Sequence, residues 1–525
     1  MTITDAPPRA NAPHADDDLT PTTVAPQLRT ELPGPRAREI IARDEAVTSP
    51  SLTRVYPLVV RRARGCVIED VDGNRFLDFN AGIAVAAAGH AHPVVNAAIH
   101  AQVDDLLHYC SSDFYLPAYA DVCERLASLA PMPDARVFLC NSGTEAVEAV
   151  LKLARHRTRR PNVIAFFGGF HGRSLGSLSL TASKARQRAG FGIVTPGSFH
   201  APFADPYDDS ALTGAAYVEQ VLFKRLTDPS DVAAVFVEPI QGEGGYIVPP
   251  VGWLADLRAL CDEHGILLVF DEVQSGVGRT GAMWAAEHDG VVPDVMCIGK
   301  GLASGLPLAG VVASADVMDW EPGGHGSTFG GNPVACAAAL ATLDLVESEL
   351  AANAAAVGDH LMAALRSISS PHLGQVRGRG LMIGIDLPDH ETAVAVERTC
   401  FERGLLVLTC GERSIRLAPP LVVTREQADI AVGIFVDALG HCDDPADHRR
   451  VGRPCWLAVG RAGRRDARWR RASPDPDHRR IAGTGRLGRR RRRRRGPGSG
   501  RLHRVARHAG AGARQPRSPT RRTAA

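Results

Sequence analysis

Lysine is nearly missing from this sequence: Lys152, Lys184, Lys224 and Lys300 are the only four in 525 residues. A surface that draws its positive charge from lysine is excluded, and each lysine can be questioned singly. Long apolar runs are missing too. No stretch of about 18 apolar residues occurs, the length a helix needs to cross a bilayer, so no membrane partner is expected. The opening MTITDAPPRANAPHADDDLTPTT lacks the basic-then-apolar order of a secretory signal. It reads as a disordered leader rich in Pro, Ala and Asp. The eleven cysteines are scattered singly, without a CxxC pair or a Cys/His cluster at metal spacing. No metal site is expected. Reduced, structural thiols and a cytoplasmic location are.

Negative charge is scarce where the chain ends. Of 60 basic and 58 acidic residues, 26 Arg but only six Asp lie from Asp443 onward, so a tail near +20 follows a body near −18. The tail (443–525) holds no Lys, Glu, Phe, Tyr, Met or Asn, and seven arginines run from Arg489 to Arg495. Three readings stand: a disordered segment drawn to nucleic acid electrostatically, a solvated linker, or an out-of-frame product of GC-rich DNA. The abrupt change after a complete helical pattern favours the last. With only Trp456 and Trp469 available to stack on bases, nucleic acid is not an expected partner.

The body divides by pattern. After the leader (1–27), residues 28–90 carry a helical stretch (Ala37 to Val47) and short strand-like runs, with Asp72-Gly73 as a hairpin turn. Residues 91–335 alternate helices with short apolar strands: Arg136–Cys140, Asn162–Phe167, Ala233–Val237, Ile266–Phe270, Val295–Ile298 and Leu308–Ala313. Such continuous apolar strands separated by helices predict an α/β fold, with a mostly parallel sheet buried on both faces. Residues 336–442 read as a long Ala-rich helix and then a smaller α+β part. Its strands are Leu381–Asp386, Leu405–Leu408 and Ser414–Leu417, its helices Thr392–Arg403 and Arg425–Leu439. A large domain and a smaller one from both chain ends are expected.

Among the lysines, Lys300 stands apart. It follows the apolar strand VMCI and lies between glycines in IGKGLASGLP. Burial at a strand end would lower its pKa and favour the neutral amine. Three other segments supply companions. In VFLCNSGTEAVEAVLKLARHR a strand turns into a helix. Ser142 and Glu145 match a capping box, and the N–H groups of Ser142, Gly143 and Thr144 suit an anion such as phosphate. In ILLVFDEVQSGVGRTG, Asp271 ends an apolar run, where its carboxylate needs a cation such as a protonated pyridine. In FFGGFHGRSLGS, Phe170 offers a flat face, His171 a ring or a hydrogen bond, and Arg173 a two-pronged clamp for a carboxylate. Taken alone, each has an ordinary structural explanation: a loop lysine, a common helix cap, a structural salt bridge, a structural loop.

Together, NSGTEA (141–146), GGFHGR (168–173), VEPIQGEGG (237–245), FDEVQSGVGRTG (270–281), IGKGLASGLPLAG (298–310), GSTFGGNPVACAAAL (326–340) and SIRLAPPL (414–421) make a specific set. The chain resembles a class III pyridoxal-phosphate-dependent aminotransferase of fold type I over roughly residues 28–442. Within the class it is most similar to 4-aminobutyrate aminotransferases and related ω-amino-acid aminotransferases and racemases. TELPGP (30–35) and CGERSIRLAPPL (410–421) point that way.

The resemblance implies a role for each matching residue. Lys300 would carry pyridoxal 5'-phosphate (PLP) as a Schiff base. Ser142, Gly143 and Thr144 would bind its phosphate, with Thr328 from the other subunit of a homodimer or a dimer of dimers. Phe170 would cover the ring with His171 close by, Asp271 would hold the pyridine nitrogen, and Gln274 the ring hydroxyl. Ile83 would line the substrate mouth, and Arg173 would bind the far carboxylate. Glu243 would pair with Arg416 until 2-oxoglutarate arrives. The implied reaction is transamination between 4-aminobutyrate and 2-oxoglutarate, giving succinate semialdehyde and glutamate. Other ω-aminotransferases (ornithine, acetylornithine or lysine type) and an amino-acid racemase share the same residues.

Overall fold

The computed structural model describes Leu19 and residues 26–192, 195–206 and 212–443. Most of the leader, and the Arg-rich tail beyond Asp443, lie outside the described residues, as do the three readings of that tail. The described residues belong to one contact unit.

The apolar runs form a seven-stranded sheet. Its order is Ala135–Cys140, Ala309–Ser314, Val295–Ile298, Leu267–Asp271, Val232–Val237, Asn162–Phe166, Ser198–Ala201. Ala309–Ser314 is antiparallel to both neighbours and the other pairs are parallel, so the sheet is mostly parallel as expected. The strand Ser198–Ala201 has no counterpart in the sequence reading. SFHA is short, half polar and at the sheet edge, so it carries neither a long apolar run nor a clean alternation.

Burial on both faces explains the continuous apolar composition. In Val232–Val237, Val235 and Val237 pack with helix Trp253–His264 on one side. Ala234 and Phe236 pack with helix Gly143–Thr158 on the other. That second helix buries Ala146, Val147, Val150, Leu151 and Ala154, the i, i+4 stripe of an amphipathic helix.

Two four-stranded sheets flank this one in sequence. The first joins Val60–Arg64, Val67–Asp70 and Arg75–Asp78 to Leu405–Leu406. Its hairpin turns at Gly73, whose φ of +86° a side chain would resist. The second is ordered Val376–Arg379, Met382–Asp386, Ser414–Leu417, Leu408–Cys410.

One expectation needs correction here. The run 405–408 is not one strand. Leu405 pairs in parallel with Leu77 of the first sheet, whereas Leu408 pairs antiparallel with Arg416 of the second. Val407 lies between them, buried, with its carbonyl accepting from the Tyr56 hydroxyl. That side-chain donor satisfies the carbonyl between the end of the first pairing and the start of the second.

The Ala-rich stretch after Asn332 is helical from Pro333 to Arg366, with a one-turn π widening at Val346–Leu350. Among the described residues no helix is long and apolar enough to cross a membrane.

Candidate active site

Five strands of the large sheet point their C-terminal ends to one edge, where α/β sheets place their ligands. Each delivers a group singled out above. Ala135–Cys140 leads to Ser142, Asn162–Phe166 to the 168–173 loop, and Val232–Val237 to Glu243. Leu267–Asp271 ends on Asp271, and Val295–Ile298 leads to Lys300.

The turn at Ser142 differs in detail from the sequence reading. Ser142 is extended (φ −151°, ψ 154°) and precedes helix Gly143–Thr158, but its side chain makes no capping bond. Glu145 Oε2 instead accepts from Asn141 N and Asn141 Nδ2, both at 2.8 Å. The capping box is displaced because Asn141 offers two donors to one carboxylate oxygen. The first N–H groups of the helix still have no carbonyl within it to bond. A Cβ on Gly143 would fall 2.8 Å from Val273, so glycine lets the turn sit against the Asp271 segment.

Asp271 is buried. Its Oδ2 meets His171 Nδ1 at 2.8 Å, and Oδ1 accepts from Val273 N at 3.1 Å. Burial disfavours a charged imidazole, but Asp271 outweighs it and holds His171 above its ordinary value. Burial likewise lowers the Lys300 ammonium, against the pull of Asp271 and Glu238. Lys300 also adopts a left-handed φ of +41°, which lysine rarely takes.

Arg416 Nη1 pairs with Glu243 Oε1 at 2.6 Å, and both side chains are largely buried. Burial would raise Glu243, but Arg416 overrides it and keeps the carboxyl below its usual range. Arg173 is exposed and lies over the Phe170 ring, 5.8 Å from its centroid. Gln274 is buried, and its Oε1 accepts from Tyr246 Oη at 2.9 Å.

Ile83 lies in an unusual turn. Ala81, Gly82, Ile83 and Ala84 have φ of +50°, +63°, +68° and +59°, a single left-handed helical turn. Asp78 Oδ1 caps it by accepting from Asn80 N and Ala81 N, both at 2.9 Å, while Oδ2 meets His90 Nε2 at 2.7 Å. The turn abuts the site: Ala84 packs in one cluster with Tyr246 and Ala418. Ala88 N donates to Ser304 Oγ, just past Lys300, at 2.9 Å.

Lys300, Asp271, His171, Glu243 and Arg416 are thus brought together, with Gln274 one hydrogen bond from Tyr246. Thr328 is different. It is exposed, and among the described residues it makes no hydrogen bond to this group. Its neighbour Ser327 accepts from Asn141 Nδ2 at 3.4 Å, beside the turn.

Three groups in the cluster escaped the sequence reading. Glu238 is buried between two loops, accepting from Phe170 N at 3.1 Å and Gly242 N at 3.0 Å. Burial pushes its pKa up to about 7. It ends an apolar run as Asp271 does, and that signal would have found it. Lys184, which lies in the polar stretch TASKARQR, acts electrostatically on Glu243 and Glu397. Tyr246 left no signal, since nothing along the chain links it to Gln274.

Three comparisons bear on this constellation. The class-III aminotransferase family model matches residues 48–439. A 4-aminobutyrate aminotransferase of Mycobacterium leprae is 41% identical over 438 residues, which is 79% of this chain and 98% of that protein. An alanine/serine racemase of Pyrococcus horikoshii is 38% identical over 438 residues, 79% of this chain and 92% of that protein. The crystal structure of an amine transaminase from an uncultivated Pseudomonas species, in its PLP-bound form, superposes with a TM-score of 0.70. It is 32% identical and covers 75% of this chain and 97% of that one.

Proposed function

The chain belongs to the class-III aminotransferases, and we propose that it moves the amino group of an ω-amino acid, foremost 4-aminobutyrate, onto 2-oxoglutarate. Its cofactor is PLP. The donor set fits that group. A helix N-terminus with open N–H groups suits the phosphate, the buried Asp271 a ring cation, the Phe170 face a planar ring, and Lys300 an imine-forming amine. When bound, PLP supplies an electron-withdrawing ring that makes a hydrogen on the amino-bearing carbon acidic.

The protein's residues do the rest. Asp271 Oδ, buttressed by His171, holds a proton at the ring nitrogen. Gln274 hydrogen-bonds the ring hydroxyl. Lys300 Nζ, kept toward its neutral form, takes the proton from the substrate carbon and returns it at the acceptor position. Arg173 takes the carboxylate that both substrates carry at their far end, and Ile83 walls the mouth.

The observation that carries the dicarboxylate assignment is the Glu243–Arg416 pair at 2.6 Å. A buried guanidinium left alone would cost several kcal/mol. Paired with Glu243 it tolerates an ω-amino acid, which has no α-carboxylate. Released, it receives the α-carboxylate of 2-oxoglutarate. Succinate semialdehyde and glutamate are the products.

The same proposal takes residues 91–335 as the cofactor domain, with 28–90 and 336–442 forming the smaller one. It takes the enzyme as a cytoplasmic homodimer, or a dimer of dimers, in which Thr328 of a second copy completes the phosphate site. The racemase relative supports a second reading, inversion of an amino acid with no keto acid. A panel of amines tested with PLP and 2-oxoglutarate separates the two. Glutamate formed fastest from 4-aminobutyrate supports the first, and racemisation without any keto acid overturns it.

A further inference from the structure

Gln274 can hold a ring oxygen only if its amide presents nitrogen rather than oxygen to it. The two orientations differ by a half-turn about the last side-chain bond and are nearly equal in shape. Something must choose between them.

Among the described residues, the one hydrogen bond made by the Gln274 side chain comes from Tyr246 Oη to Oε1, at 2.9 Å. Tyr246 is fully buried. Its hydroxyl proton has no other acceptor among the described residues, so the amide must turn its oxygen to the tyrosine. Burial pushes the Tyr246 hydroxyl up to about 12, against the influence of Arg416. The hydroxyl therefore keeps its proton and remains a donor to Gln274.

The backbone is built for this contact. Tyr246 has a φ of +54°, a region a bulky residue seldom occupies. It follows Gly245 (φ +132°) and packs beside Gly384, where a Cβ would fall 3.0 Å from the tyrosine Cβ. Gly384 lies opposite Arg416 in the sheet. Ala84, Ile240, Met382 and Ala418 enclose the tyrosine in an apolar cluster. At Gly242 a Cβ would come within 2.2 Å of Gln274 Nε2, so the amide nitrogen has room only because glycine is there.

We propose that Tyr246 is a positioning residue: it fixes the Gln274 amide so that its nitrogen faces the cofactor's ring oxygen. This rests on the reading of Gln274 given above. The consequence is electronic. An N–H donor stabilises the ring oxygen as an anion, while a carbonyl in its place would repel it.

The test compares Y246F, Q274A and the double variant, each as purified holoenzyme, by pH titration of the bound PLP's visible absorbance. PLP affinity of the stripped proteins is the second readout. Y246F removes one oxygen and keeps the buried ring. Q274A should raise the absorbance midpoint by roughly half a unit to one unit and weaken PLP binding about threefold to tenfold. Y246F should do the same in the same direction, and the double variant should go no further than Q274A alone. If Q274A shifts the midpoint and Y246F leaves it in place, the positioning role is wrong while the Gln274 reading stands. A double variant equal to the sum of the two also defeats it, because Tyr246 would then act without Gln274. If Q274A itself shifts nothing, the reading of Gln274 fails, and this inference with it.

Discussion

At the residue scale, the decisive contrast lies between two arginines. Arg173 is exposed, resting over Phe170 and paired with no carboxylate among the described residues, while Arg416 is buried and tied to Glu243. In the proposed reaction one would be a standing receptor for a carboxylate and the other a conditional one. Arg173→Ala should therefore raise KM for 4-aminobutyrate and 2-oxoglutarate alike, by about tenfold or more for a charge-assisted contact. Steady-state kinetics with each substrate varied checks this, and an effect confined to one substrate would refute a shared clamp. Lys300→Ala should abolish turnover and the visible band of the lysine-bound cofactor. Surviving turnover removes the central assignment.

Elements show what the sequence could and could not announce. Lys300 and Asp271 were legible because each follows an apolar run, and the strand ends of a parallel sheet converge. The sheet itself was legible for the same reason, apart from the short polar edge strand at 198–201. The left-handed turn at Ala81–Ala84 was not, because Ala, Gly, Ile and Ala carry no turn signature. Its cause lies outside the segment, in the Asp78 carboxylate that caps it and the His90 that holds Asp78. Tyr246 was illegible for the related reason that its partner lies 28 residues away.

The turn also stores strain. A non-glycine residue in a left-handed helical turn costs roughly 1–2 kcal/mol. Ile83 is 42% exposed, so little burial offsets that. Ile83→Gly should stabilise the fold by up to about 1 kcal/mol, net of glycine's greater freedom when unfolded. Thermal unfolding measures it, and a drop in Tm would show the turn is not strained at this residue. The same variant should raise KM for the ω-amino acid if Ile83 walls the mouth.

Across the whole molecule, three buried glutamates contribute to the pH response. Burial lifts Glu238, Glu272 and Glu397 each to about 7. The native state then keeps protons that the unfolded chain has released. Their stabilising contribution is complete below the ordinary glutamate value of about 4.5 and is lost as pH rises through 7. Glu69 and Asp386 oppose this trend. Burial would raise both, but arginine partners lower them, so their contribution is lost as pH falls. Glu397 allows a clean test, since a glutamine there can still accept from Thr409 N. The Tm of Glu397→Gln should gain on the parent chain between pH 5 and 8, on the order of a few degrees. A constant difference across that range contradicts a neutral Glu397. The family match ends at residue 439, so a chain ending at Asp443 should keep full transaminase activity. Loss of turnover on that truncation would give the arginine tail a catalytic part.

The crossing at Val407 has a consequence that only insertion and deletion reveal. One residue, Val407, separates the parallel pairing of Leu406 with Asp78 from the antiparallel pairing of Leu408 with Arg416. Removing one residue there would slide 408–410 by a position and turn each of its side chains to the opposite face. Thr409, not Leu408, would then sit across from Arg416. A polar side chain would replace an apolar one behind the guanidinium that answers to Glu243. The spacing between the two sheets is thus written as an integer, and the integer is one.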